Sequence, residues 1–194
     1  MVWNEIVSAV CIYLSAIIFS LSLQGKSKLT ILFVQLFASF LYLANYLFVI
    51  TINPAAQIGA ITAGCEILRL LTFFFIEKSE KYNTKKWNII TAIIFSVALT
   101  VCTIFAWSGW FSIFPLIAAI IVSLALGNKN IKLIKIAFII QAACIIAYLF
   151  MLNLWLNAIS QIFVLIFGII GLITYILNEK KLTKANTEQE EKTE

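Results

Sequence analysis

Seven apolar stretches of about twenty residues each, set apart by short polar connectors, make up almost all of this chain and leave few folds open to it. They run over residues 5–23, 29–51, 55–76, 88–107, 110–126, 133–152 and 156–177. At about 1.5 Å of rise per residue, a helix of that length matches the roughly 30 Å of hydrocarbon in a bilayer. Lipid offers no partner to a free N–H or C=O, so each stretch must pair its own backbone, which selects helices. The expected fold is all-α: a polytopic membrane domain of seven transmembrane helices covering residues 1–178. Composition agrees, with 62% hydrophobic and 12% charged residues and a mean hydropathy of +1.02.

Turn residues mark the breaks. Gln24-Gly25-Lys26-Ser27-Lys28 closes the first stretch, and Asn53-Pro54 divides the second from the third. Glu77 to Lys86 is the longest connector; Trp107-Ser108-Gly109-Trp110 and Gly127-Asn128-Lys129-Asn130 are tight reversals. Lysines fill alternate connectors: Lys26 and Lys28, then Lys78, Lys81, Lys85 and Lys86, then Lys129, Lys132 and Lys135, then the tail from Lys180. The connectors around Asn53, Ser108 and Asn153 to Asn157 hold no charge. The positive-inside rule therefore predicts a cytoplasmic lysine side, with the N-terminus outside and the C-terminus inside. Trp3, Trp107, Trp110 and Trp155 then form an aromatic belt at the outer interface, with Trp87 at the inner one. Met1 to Glu5 lacks a basic residue, so the first stretch reads as a retained helix and not a signal peptide. Residues 179–194, polar and mixed in charge, read as a disordered cytoplasmic tail.

Several function classes drop out. The formal charge of +5 is spread over membrane-flanking connectors and forms no continuous basic surface, so no nucleic-acid partner is expected. The chain has no histidine and no aspartate, which removes histidine metal sites, Ser-His-Asp triads and aspartate-based phosphotransfer. Cys11, Cys65, Cys102 and Cys144 lie inside apolar stretches without metal-ligand spacing and read as small buried hydrophobes. The expectation is no enzyme, no metal and no cofactor. The lipid bilayer is the expected partner, and self-association stays open.

The first three stretches match the last three. Ser20-Leu-Ser-Leu-Gln-Gly-Lys26 lines up with Ser123-Leu-Ala-Leu-Gly-Asn-Lys129, and Gln35 with Tyr42 lines up with Gln141 and Tyr148. Asn53 to Ile58 with Gly64 matches Asn157 to Ile162 with Gly168, and both units end in Glu-Lys, at Glu77-Lys78 and Glu179-Lys180. The expected organisation is two parallel three-helix repeats, 5–77 and 110–177, joined by a linking helix at 88–107. Phe114-Pro115-Leu-Ile-Ala-Ala-Ile120 through Leu126 resembles the fifth-span pattern of the YgjV family of bacterial inner-membrane proteins. Glu66-Ile-Leu-Arg69 resembles that family's Asn-x-x-Arg, with Glu in place of Asn. The resemblance covers the membrane part to about Asn178. It implies a three-one-three helix arrangement similar to SWEET and PnuC carriers, in a bacterial cytoplasmic membrane, and supplies no activity.

Arg69, the only arginine, and Glu66 stand alone as charges inside an apolar run from Ala55 to Ile76. A charge at mid-bilayer costs about 2.5–3.5 kcal/mol on insertion scales, so it serves a site or a buried partner. Three residues apart on a helix, the two share a face. One reading is a self-compensated pair that locks helices together. The other is a cationic anchor for an anionic or polar solute, with Glu66 positioning it or carrying a proton. Tyr42, Asn45 and Tyr46 lie on one side of the second stretch, with Gln35 about two turns earlier; with Gln141 and Tyr148 they either bind a solute between the halves or satisfy one another. Gln57 and Gln161 read as wet span ends. Pro115 predicts a kink in the fifth helix, a candidate hinge. Ser8, Ser15 and Ser22, with Gly168 and Gly171, read as close-packing faces. Two functions follow: a small carrier with a mid-membrane Glu/Arg site, or a non-transporting membrane subunit or sensor whose polar residues serve packing.

Overall fold

The computed structural model describes residues 3–51, 53–107 and 109–190; Met1, Val2, Ile52, Ser108 of the tight reversal, and residues 191–194 of the expected tail lie outside them. Among the described residues there are seven α-helices and no strand: α1 (Trp3–Ser22), α2 (Lys28–Ile50), α3 (Gln57–Lys78), α4 (Lys85–Phe105), α5 (Ile113–Leu126), α6 (Ile131–Met151) and α7 (Trp155–Glu190). α2, α3, α4, α6 and the Trp155–Lys181 part of α7 are long and apolar enough to cross a membrane. The apolar part of α1, Ile6–Ser22, and α5 with the turn before it, Trp110–Leu126, are shorter.

Each helix packs on its neighbour in sequence, α7 returns to α1, and α3 also meets α5. One end of the bundle gathers the lysine connectors and the other gathers the charge-free ones. The helices that start at the lysine end have side-chain N-caps. Ser27 accepts from the Thr30 N–H, Thr84 from Trp87 and Asn130 from Lys132, so one orphan donor is satisfied in each first turn. α3 and α5, which start at the other end, follow single 3-10 turns, Pro54–Ala56 and Trp110–Ser112, and have no such cap. Asn153 turns α6 into α7 with φ of 57°, a conformation asparagine tolerates better than most residues.

The bundle is apolar outside, and its largely hydrophobic interior also buries many polar side chains. Ile17, Phe40, Leu68, Ile94 and Ile173 are more than half exposed, whereas Ser15, Gln35, Asn45, Asn88 and Ser123 are wholly buried. Water would select the reverse, so this architecture is compatible with a multi-pass membrane protein. The seven-spaced serines of α1 are buried, and two of them knit it to α2: Ser8 Oγ donates to Asn45 Oδ1 at 2.7 Å, and Ser15 Oγ to the Ala38 carbonyl at 2.8 Å. Gly171 lets α1 approach α7, since a Cβ there would stand 2.7 Å from the Leu23 carbonyl oxygen.

Three features differ from the sequence expectations. Pro115 sits in the first turn of α5, where its missing N–H is an orphan in any helix, so no internal bond is lost and the reason for a kink disappears. Lys28 and Lys135 are not connector residues but buried members of α2 and α6, 5% and 2% exposed. Lys28 pairs with Glu77 at 3.1 Å; Lys135 donates to the Leu23 and Gly171 carbonyls at 2.8 and 3.4 Å, and its ammonium lies 4.9 Å from the Tyr175 ring. Helix α7 continues through the polar segment to Glu190, where a disordered tail was expected; the lysines, glutamates and glutamine there are good helix formers.

Candidate functional site

Arg69 lies twelve residues into α3, about 18 Å along the axis from Gln57 and about 13 Å from Lys78. The guanidinium is therefore at mid-helix depth, 1% exposed. Its Nη1 donates to the Ala119 carbonyl at 2.8 Å and to Ser123 Oγ at 3.0 Å, both on α5. Ser123 in turn donates to the Ala119 carbonyl at 2.8 Å, the usual local bond of a helical serine, which leaves its lone pairs for the arginine. Nη2 faces Glu66 Oε1 at 3.4 Å, one turn back on α3. The other carboxylate oxygen, Oε2, accepts from Gln141 Nε2 of α6 at 3.4 Å. The charge pair thus joins α3 to α5 through the arginine and to α6 through the glutamate.

Beside this pair is a cavity of about 50 Å³, measured as the space open to the centre of a water molecule. One water needs roughly 10–15 Å³ on that measure, so the hollow has room for a few waters or a solute of a few heavy atoms. Its walls come from Phe19 of α1, Ser39, Tyr42 and Tyr46 of α2, Thr62, Glu66 and Arg69 of α3, Pro115 and Ala119 of α5, Gln141 and Ile145 of α6, and Gln161 and Val164 of α7. Helix α4 contributes nothing. Several lining atoms are buried with no hydrogen-bond partner: the Tyr42 hydroxyl, Gln141 Oε1, Gln161 Nε2 and Arg69 Nε. A buried polar atom without a partner costs about 1–3 kcal/mol, so a group of them around a hollow fits a site that is completed by something polar.

Six of the residues singled out in the sequence line this cavity: Arg69, Glu66, Tyr42, Tyr46, Gln141 and Pro115. Three do not. Asn45 points to α1, where its oxygen receives Ser8. Tyr148 is wholly buried against Phe111 and hydrogen-bonds the backbone of Gly59 near the start of α3. Gln35 is buried outside the cavity, and neither of its amide atoms has a partner. Sequence reasoning missed Ser123 and Gln161. Gln161 is 5% exposed and lines the hollow, while Gln57 is exposed, so the two glutamines read alike as wet span ends part company. Among the described residues no cluster of acids and cysteines could hold a metal ion. No family model, curated protein or solved structure matches the chain.

Proposed function

We propose that the chain is a small carrier of the bacterial cytoplasmic membrane in which two three-helix units, α1–α3 and α5–α7, hold a polar solute between them. The central cavity carries this reading: both units wall it, α4 stays outside as the linking helix, and several of its lining residues carry buried polar atoms without partners. Binding between repeats near the midplane is the general design of such carriers. The YgjV resemblance implies the same three-one-three order, and the lysine asymmetry supports an outer N-terminus and an inner C-terminus.

Burial supports the repeat more strongly than letters do. Ser15, Ala16, Ser20, Ile31, Leu32, Gln35 and Asn45 are buried, and so are Ala118, Ala119, Ser123, Ile134, Lys135, Phe138 and Tyr148, each at the same spacing as from Ser20 to Ser123. Ser20 and Ser123 both donate to the alanine carbonyl one turn back, at 2.7 and 2.8 Å. The α3–α5 and α7–α1 contacts exchange under the same correspondence. At that spacing the cavity residues Ala38, Ser39 and Tyr42 answer to Gln141, Ala142 and Ile145. The letter matches Gln35 with Gln141 and Tyr42 with Tyr148 stand three residues out of this register.

The solute class follows from what Arg69 has left to give. Glu66, Ala119 and Ser123 take its terminal nitrogens, so the pair presents little net charge. The remaining donors and acceptors suit a small neutral or zwitterionic solute better than an anion. The same bonds to α5 favour a second reading, a non-transporting subunit or sensor in which the pair only locks helices. Uptake of small neutral and zwitterionic solutes into proteoliposomes separates the two. A solute that enters saturably with the wild type, and about tenfold more slowly with Gln141→Leu, supports the carrier. Entry no faster than into protein-free liposomes for every solute leaves the subunit reading.

A further inference from the structure

A second cavity opens between α4 and α5 at the lysine end, about 430 Å³ on the same measure, and it shares no residue with the central one. Lys85, Asn88, Ile89 and Ala92 of α4 line it, with Leu124 at the end of α5 and Gly127, Asn128 and Lys129 just beyond. The lining is layered. Two exposed cations, Lys85 and Lys129, stand at the mouth, and no acid lines the cavity. The Lys129 ammonium is steadied at the rim by the Asn83 carbonyl at 3.3 Å. Below them Asn88 is wholly buried; its Nδ2 donates to the Thr84 carbonyl at 3.1 Å, and its Oδ1 has no partner. Ile89 and Leu124, 43% and 56% exposed, continue the wall along the apolar outer surface of the bundle. The first turn of α4 adds the positive end of its helix dipole to the same mouth.

We propose that this cavity binds the headgroup of an anionic phospholipid that carries a free hydroxyl, of the phosphatidylglycerol type. The phosphodiester lies between Lys85 and Lys129 at the positive end of α4, a headgroup hydroxyl donates to Asn88 Oδ1, and an acyl chain runs down Ile89 and Leu124. Each layer has one task. The lysines select the anion, the orphan amide oxygen selects an alcohol donor on the headgroup, and the exposed apolar wall selects a lipid over a soluble phosphoester. Occupancy would fasten α4 to α5 at the one helix that takes no part in the central cavity.

The test is thermal unfolding of the purified full chain, delipidated in nonionic detergent, titrated with phosphatidylglycerol, phosphatidic acid or phosphatidylcholine in mixed micelles, or with glycerol 1-phosphate in solution. Phosphatidylglycerol is expected to raise the melting temperature most and phosphatidylcholine least. Lys85→Gln with Lys129→Gln is expected to weaken the phosphatidylglycerol response about tenfold. Lys180→Gln with Lys181→Gln removes the same charge from exposed positions on α7 and should leave the response intact. Asn88→Leu is expected to reduce the preference for phosphatidylglycerol over phosphatidic acid about fivefold while keeping the response to both. The proposal is overturned if the two lysine pairs behave alike, which would mean unlocalised surface charge. It is equally overturned if glycerol 1-phosphate matches the lipid, which would mean a soluble phosphoester site.

Discussion

Arg69 and Lys135 are both cations buried among apolar helices, and the protein holds them in opposite ways. Arg69 has a carboxylate, a hydroxyl and a carbonyl, and it borders a hollow with unfilled polar atoms. Lys135 has two backbone carbonyls and an aromatic face, with no carboxylate among its described partners, and it lines neither cavity. One of its acceptors, the Leu23 carbonyl, closes the C-terminal end of α1, where a cation is electrostatically welcome. Burial alone therefore does not make a charge a site. The orphaned neighbours mark the difference: residues around Arg69 carry buried polar atoms without partners, whereas at Lys135 two backbone carbonyls, one at the end of α1 and one within α7, take the ammonium.

The widest gap between the two regions should appear in stability. Arg69→Leu strips Glu66 of its only ion-pair partner among the described residues, and leaving a buried charge unpaired is expected to cost about 3 kcal/mol or more. Unfolding of the purified variant in detergent, followed by loss of helical circular dichroism, measures this. Adding Glu66→Gln removes the stranded charge and should return about half of the loss. A double variant no more stable than Arg69→Leu would mean that the bonds to α5, and not the charge pair, dominate. Lys135→Met comes next: it keeps the stem and frees two carbonyls without stranding an acid, so about 2 kcal/mol is expected in the same assay. Equal losses at Arg69 and Lys135 would erase the distinction.

The seven helices could be read from the chain because twenty-residue apolar runs and their turn residues are local signals, and the helices begin and end within a few residues of those runs, except that α7 runs on through the polar segment to Glu190. Arg69 and Glu66 were legible for the same reason: two charges in a 22-residue apolar run need no partner to be conspicuous. What could not be read was facing. Ile170 and Ile173, which stand the same 104 residues beyond Glu66 and Arg69 as Gln161 stands beyond Gln57, are 47% and 52% exposed, so the last helix presents no counterpart of the charge pair on its inner face. Lys135 was assigned to a connector because charge counts locate a lysine along the chain but do not say which way it points. Ser123 was visible only as one letter of a repeat motif; its role depends on α5 meeting α3 across 54 residues of chain.

Within the site, Gln141→Leu should sharpen the contrast. It forfeits one long bond, 3.4 Å to Glu66, so the expected loss of stability is about 1 kcal/mol, below that at Lys135. Its expected effect on solute uptake is the larger one, whereas Lys135→Met should lower stability and leave the solute affinity of the folded fraction unchanged. Measuring KM alongside melting temperature for both variants checks this. A Lys135→Met protein with a raised KM and a Gln141→Leu protein with an unaltered one would reverse the assignment of site and scaffold.

The smallest stability change is expected at Tyr42, and its sign is informative. The hydroxyl borders the cavity, buried and without a partner, so in the empty protein it contributes desolvation cost and no bond. Tyr42→Phe keeps the ring and its packing on Tyr46, 5.5 Å between centroids, and is expected to be neutral or to stabilise by up to about 1 kcal/mol. A packing tyrosine behaves the other way: Tyr148→Phe loses its hydrogen bond to the Gly59 backbone and should be less stable than the wild type. Ligand-induced stabilisation by any solute found in the uptake panel should shrink in Tyr42→Phe and persist in Tyr148→Phe. If Tyr42→Phe instead destabilises the empty protein as much as Tyr148→Phe does, its hydroxyl is spoken for within the fold, and the hollow beside Arg69 is a packing defect with no solute to receive.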